Sequence, residues 1–125
     1  MVLAYDFSTL KALASSRERM ASLPEQVRAI MERAISEVDP SRIYLFGSRV
    51  RGDFHAASDI DIGFELDDRS HGWSRFNITE PERARTLLQL DLVNFSDAHS
   101  SLREYVLHNG VLIYERPNQV EMVPR

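Results

Sequence analysis

The stretch SRIYLFGSRVRGDFHAASDIDIGFEL, residues 41–66, decides how the rest of the chain is read. Its first apolar run, Ile43-Tyr44-Leu45-Phe46, has the length and the aromatic and β-branched content of a buried strand, and it stops at Gly47-Ser48. A polar loop follows, and a second strand-like run extends from Ile60 to Leu66. Asp59 and Asp61 stand at its start, and side chains two apart on a strand project from one face. Carboxylates placed together raise each other's pKa unless a cation or a hydrogen-bond donor neutralises them. Magnesium suits such a pair, because it takes oxygen ligands and is usually held by one or two carboxylates together with substrate phosphates. Gly47-Ser48 supplies a backbone free of Cβ and a hydroxyl, which favours close approach of a phosphate to main-chain N–H groups, and Arg49 and Arg51 add positive charge.

Each feature alone has an ordinary structural reading. A Gly-Ser pair after a strand is usually a turn, and an isolated Asp-x-Asp is usually a solvated strand end or a pair of caps. The combination is more specific: Gly-Ser, ten residues, then Asp-x-Asp, with a strand on either side. This pattern resembles the minimal nucleotidyltransferases of the DNA-polymerase-β superfamily, including the MntA-type antitoxin subunits paired with HEPN-domain proteins. The resemblance implies that Gly47 and Ser48 hold the triphosphate tail of a nucleotide while Arg49 or Arg51 steadies the leaving group. It also implies that Asp59 and Asp61 bind two divalent metal ions, Mg2+, and that a third carboxylate on a later strand completes the site. Asp91, in Leu90-Asp91-Leu92-Val93, is the residue that matches. The segment from Leu102 through Asn109-Gly110 to Glu115 is similar to the family's final helix-glycine-strand unit, so the likeness runs from about residue 24 to 116.

The activity implied is transfer of AMP from ATP to a hydroxyl, with a tyrosine of a partner HEPN toxin as acceptor and the chain acting as antitoxin. Two other readings stay open. The acceptor is a small-molecule hydroxyl held by a helical-bundle companion subunit, or the chain is a non-catalytic module that neutralises its partner by docking. No acceptor pocket is legible in the sequence, and a second, substrate-binding domain does not fit in 125 residues.

Composition narrows the classes. Hydrophobic residues at 43% and charged residues at 27% are those of an ordinary globular chain. Nineteen acids against fifteen bases give a net charge of −4 without a basic stripe, which disfavours direct nucleic-acid binding. The chain has no cysteine, which removes disulfides and thiolate chemistry and fits a cytoplasmic setting. No apolar run approaches the roughly 20 residues needed to cross a bilayer, and the N-terminus lacks the pattern of a signal peptide. A homodimer is compatible with all of this.

The remaining elements follow from periodicity. Phe7, Leu10, Leu13, Ala14 and Met20 predict a first helix over residues 6–21, within an N-terminal extension of residues 1–22 lying outside the catalytic unit of residues 23–116. Ser22 and Glu25 have capping-box spacing around Pro24, and Val27, Ile30, Met31, Ala34, Ile35 and Val38 form an apolar helical stripe ending before Asp39-Pro40. Asp67 to Gly72 reads as turn, Trp73 to Phe76 as a short helix interrupted by Asn77 to Pro81, and Glu82 to Leu88 as helix again. A strand over 87–95, a helix over 98–108 capped by Ser96 or Asp97, and a strand over 111–114 complete the pattern, with a loose tail at 117–125. The order predicts an α/β (α+β) nucleotidyltransferase fold: a mixed four-stranded sheet with helices mainly on one face. Trp73 is read as core rather than a nucleobase platform, and His55, His71, His99 and His108 lack metal-ligand spacing.

Overall fold

The computed structural model describes residues 5–86 and 88–117. Four strands, β1 (Arg42–Phe46), β2 (Ile60–Glu65), β3 (Leu90–Asn94) and β4 (Val111–Glu115), form one sheet in the order β3-β2-β1-β4. β1 runs antiparallel to β2 and β4, whereas β2 and β3 are parallel, so the sheet is mixed as expected. Alternation along the strands gives it two different faces. Ile43, Leu45, Ile60, Ile62, Phe64, Val111 and Ile113 lie in one core with α2 (Glu25–Glu37) and α4 (Trp73–Arg83). Tyr44, Phe46, Val93 and Leu112 face the other way, where Phe95 and Val106 of α5 (Ser100–Asn109) cover them.

Helix α2 forms where the stripe predicted it, and Val27, Ile30, Met31, Ala34 and Val38 have no exposed surface. Trp73 is partly buried and packs against the core, its ring 5.1 Å from that of Phe64 and 6.1 Å from that of Phe76.

Several local expectations are corrected. The helix over 6–21 is replaced by a 3-10 turn at Leu10–Ala12 and a short α1 at Ser16–Ala21, because Ser15 accepts a hydrogen bond from the Glu18 N–H at 3.2 Å and starts a new helix. These residues are no appendage, since Phe7 and Leu10 are buried in the main core and α1 packs along β4. The Ser22–Glu25 capping box does not form: Ser22 Oγ donates to the Glu18 carbonyl at 2.9 Å and closes α1, and Pro24 is the cap residue of α2. Trp73–Arg83 is a single helix despite Pro81, which falls in the last turn where its missing N–H loses one bond. The chain turns extended at Ala84, so of the helix foreseen over 82–88 only Glu82 and Arg83 are helical among the described residues, as the end of α4. β3 starts at Leu90. Ser96 and Asp97 do not cap α5, which begins at Ser100 with His99 as its cap residue; the Asn94 side chain accepts from the Ser96 N–H at 2.9 Å and donates to the Asp97 carboxylate at 3.3 Å. Of the foreseen tail, residues 118–125 lie outside the described residues.

The fully buried Glu80 of α4 explains how that helix is fixed. Arg33 of α2 grips its carboxylate as a fork, with contacts of 2.9, 3.0 and 2.6 Å, and Arg83 approaches at 3.0 Å. Removing one partner of a buried pair leaves a charge without compensation, although Arg83 and partial exposure of Arg33 soften the cost. Arg33→Ala is therefore expected to lose about 2 kcal/mol of stability, read from urea unfolding. An unchanged midpoint would show the pair to be idle.

Candidate nucleotide and metal site

The site lies at one end of the central strands. Phe46, the last residue of β1, pairs with Asp61 of β2, and Asp61 pairs with Asp91 of β3 in the parallel register. Three neighbouring strands thus deliver the Gly47 turn, Asp61 and Asp91 to one edge. Asp59 stands just before β2 and is exposed, as is Asp91, whereas Asp61 is partly buried.

Gly47 is required in this arrangement for two reasons. Its φ of 84° lies in the region that side-chain-bearing residues avoid, and a Cβ there would overlap the Asp61 carboxylate. The chain then enters the short helix α3, Ser48–Arg51, which ends at Gly52 with φ 90°. Between these parts opens a cavity of about 520 Å³, whose lining includes Gly47, Ser48, Arg51, Asp59, Asp61 and Tyr105. Asp91 is not among the lining residues and meets the site through Asp61.

The carboxylates carry the electrostatic signature expected of their spacing. Burial, a hydrogen bond to Asp91, and the charges of Asp91 and Asp59 push the Asp61 carboxyl up from 3.8 to about 7, only partly opposed by Arg51. Burial and the neighbouring carboxylates thus oppose ionisation of Asp61 near neutrality. The donors fit a hard divalent cation: carboxylate oxygens from neighbouring strands, a turn without Cβ beside them, and a carboxyl whose ionisation lacks countercharge. The fit is one of donor chemistry rather than a finished cage, since no group of three His, Cys, Asp or Glu among the described residues is already gathered as one.

The two arginines separate. Arg51 is exposed, lines the cavity, and donates from Nη1 to the Tyr105 hydroxyl at 2.8 Å and from Nε to Asp53 at 3.3 Å, contacts that raise its pKa, that with Tyr105 most. Arg49, expected at the phosphates, is instead only 1% exposed. It donates to the carbonyls of Ser58, Tyr5, His55 and Ala56 at 3.1 to 3.3 Å, and its guanidinium carbon lies 4.6 Å from the Phe54 ring centroid. Its donors are thus spent on the loop that leads into Asp59, a correction to its sequence-based role.

With this geometry in hand, the family described as Polymerase beta, Nucleotidyltransferase matches residues 26–119. The chain belongs to this family. Solved structures agree with it. A crystal structure of a toxin–antitoxin with AMP-PNP superposes with a TM-score of 0.58 at 25% identity, covering 78% of this chain and 77% of that one. A mutant MntA-HpeT toxin-antitoxin gives 0.56 at 25% identity, covering 78% and 76%. Another mutant of that pair, at 22% identity and 0.54, supports the fold alone. No curated protein matches the sequence.

In this nucleotidyltransferase the sequence brought Gly47, Ser48, Arg51, Asp59, Asp61 and Asp91 to the same edge and missed Tyr105. Tyr105 lies 44 positions after Asp61, and on α5 it reads as one more aromatic. Among the described residues no helix is long and apolar enough to cross a membrane.

Proposed function

We propose that this nucleotidyltransferase is magnesium-dependent and transfers AMP from ATP to a tyrosine hydroxyl of a helical HEPN-type toxin, thereby acting as its antitoxin. The observation that carries the reading is the register Phe46–Asp61–Asp91 beside the Cβ-free Gly47 turn, in a chain similar to a toxin–antitoxin with AMP-PNP. Two magnesium ions held by Asp59, Asp61 and Asp91 would supply charge neutralisation at the triphosphate and acidify the attacking hydroxyl. Gly47 admits the phosphates close to the backbone, the Ser48 hydroxyl donates to them, and Arg51 offsets the charge of departing pyrophosphate. Asp91 takes the hydroxyl proton as the acceptor oxygen bonds to the α-phosphorus and the bond to pyrophosphate breaks. The open cavity fits an acceptor that arrives on a second protein, with the complex supplying proximity.

The co-purified complex, incubated with ATP and magnesium, is expected to show a partner heavier by one or more AMP groups in intact-mass spectrometry. An Asp61→Asn complex should stay associated with its partner unmodified. Nucleotide found on a small molecule would replace the acceptor, and an unmodified but silenced partner beside the wild-type chain would leave a docking antitoxin.

A further inference from the structure

We propose that Tyr105 is a positioning residue which holds Arg51 toward the polyphosphate tail of the nucleotide, so that α5 helps the site prefer a nucleoside triphosphate to a monophosphate. The inference rests on the reading of Gly47 and Ser48 as the phosphate grip. An arginine whose side chain is 47% exposed loses much rotamer freedom when it must engage a ligand, and that loss weakens binding unless the protein has already restricted it. Arg51 is restricted from two sides. Asp53 takes Nε at 3.3 Å and the Tyr105 hydroxyl takes one hydrogen of Nη1 at 2.8 Å. Among the described residues Nη2 makes no hydrogen bond, and Arg51 and Tyr105 both line the cavity that contains Gly47 and Ser48. Nη2 is thereby left to donate to phosphate oxygens from a guanidinium already fixed at its other two nitrogens.

Tyr105 is 37% exposed, and its hydroxyl is bound to a solvated guanidinium. Loss of that oxygen therefore leaves the fold alone. Its effect appears only where Arg51 meets the tail, which a monophosphate lacks beyond its first phosphate.

The test is calorimetry of the full chain with magnesium and either ATP or AMP, on wild type, Tyr105→Phe, Arg51→Gln and the double variant, with thermal melts alongside. Tyr105→Phe should weaken ATP binding by about tenfold and leave AMP binding and melting unchanged. Arg51→Gln should weaken ATP binding at least as much, and adding Tyr105→Phe to it should cost nothing more. ATP binding by Tyr105→Phe at the wild-type level, equal losses for ATP and AMP, or additive losses in the double variant would each overturn the inference while the proposed activity stands. A wild-type chain that binds no ATP with magnesium would overturn both.

Discussion

Asp61→Asn is expected to lower nucleotidyl transfer by at least about a thousandfold, or roughly 4 kcal/mol of barrier, while the metal-free protein becomes more stable near neutral pH. The two effects have one cause. Asp61 sits between Asp59 and Asp91 and is partly buried, so its ionised form is held there at a cost that only a cation relieves. Its folded pKa of about 7 lies above the ordinary 3.8, so between those values the folded state binds more protons than the unfolded one. Stability is therefore fully supported below about pH 4 and falls as pH rises toward 7. Asparagine cannot ionise and should flatten that fall. Melts in EDTA from pH 4 to 8, set beside initial rates with ATP and magnesium, check both halves. A variant that loses stability at pH 7 would make Asp61 a structural cap, and one that keeps its rate would remove it from the chemistry.

The legible parts of the sequence were those whose signal is local. The α2 stripe and the strand ending before Gly47 follow from periodicity and from one residue's conformational freedom, and both occupy the place expected, with Asp61 paired opposite Phe46 and Asp59 just before β2. Asp91 needed the family resemblance, because a lone acid in an apolar run says nothing until β3 pairs with β2 in parallel and sets it opposite Asp61. What was misread depended on tertiary competition. Pro81 was weighed as a helix breaker, yet Phe76 and Glu80 bury the face that holds α4 together, and the proline falls where the helix is ending anyway. Asp97 offered a plausible cap, but α5 begins at Ser100 with His99 as its cap residue. Phe95 passes across Gly63, whose missing side chain leaves room for the ring against Tyr44, a contact visible only once the strands are in register.

Arg49 is the misreading with the largest expected consequence. Arg49→Met should cost about 4 kcal/mol, enough to leave a domain of this size marginal or unfolded at ambient temperature. The charge is buried, and its compensation comes from four carbonyl dipoles and the Phe54 ring, so methionine would fill part of the volume and leave those carbonyls without donors. Arg49→Lys separates the structural role from a phosphate-binding one. Lysine keeps the charge but cannot reach Ser58, His55, Ala56 and Tyr5 together from a single ammonium. It should destabilise the chain by about 2 kcal/mol and loosen residues 53–58, so that a protease cuts that loop faster and magnesium binding weakens because Asp59 is no longer held. Urea unfolding, limited proteolysis and calorimetry with magnesium alone would follow the three effects. A lysine variant as stable and as protease-resistant as wild type, impaired only in ATP affinity, would return Arg49 to the phosphates. Because the fork is closed over backbone that leads into Asp59, stability, loop protection and metal affinity should instead fall together.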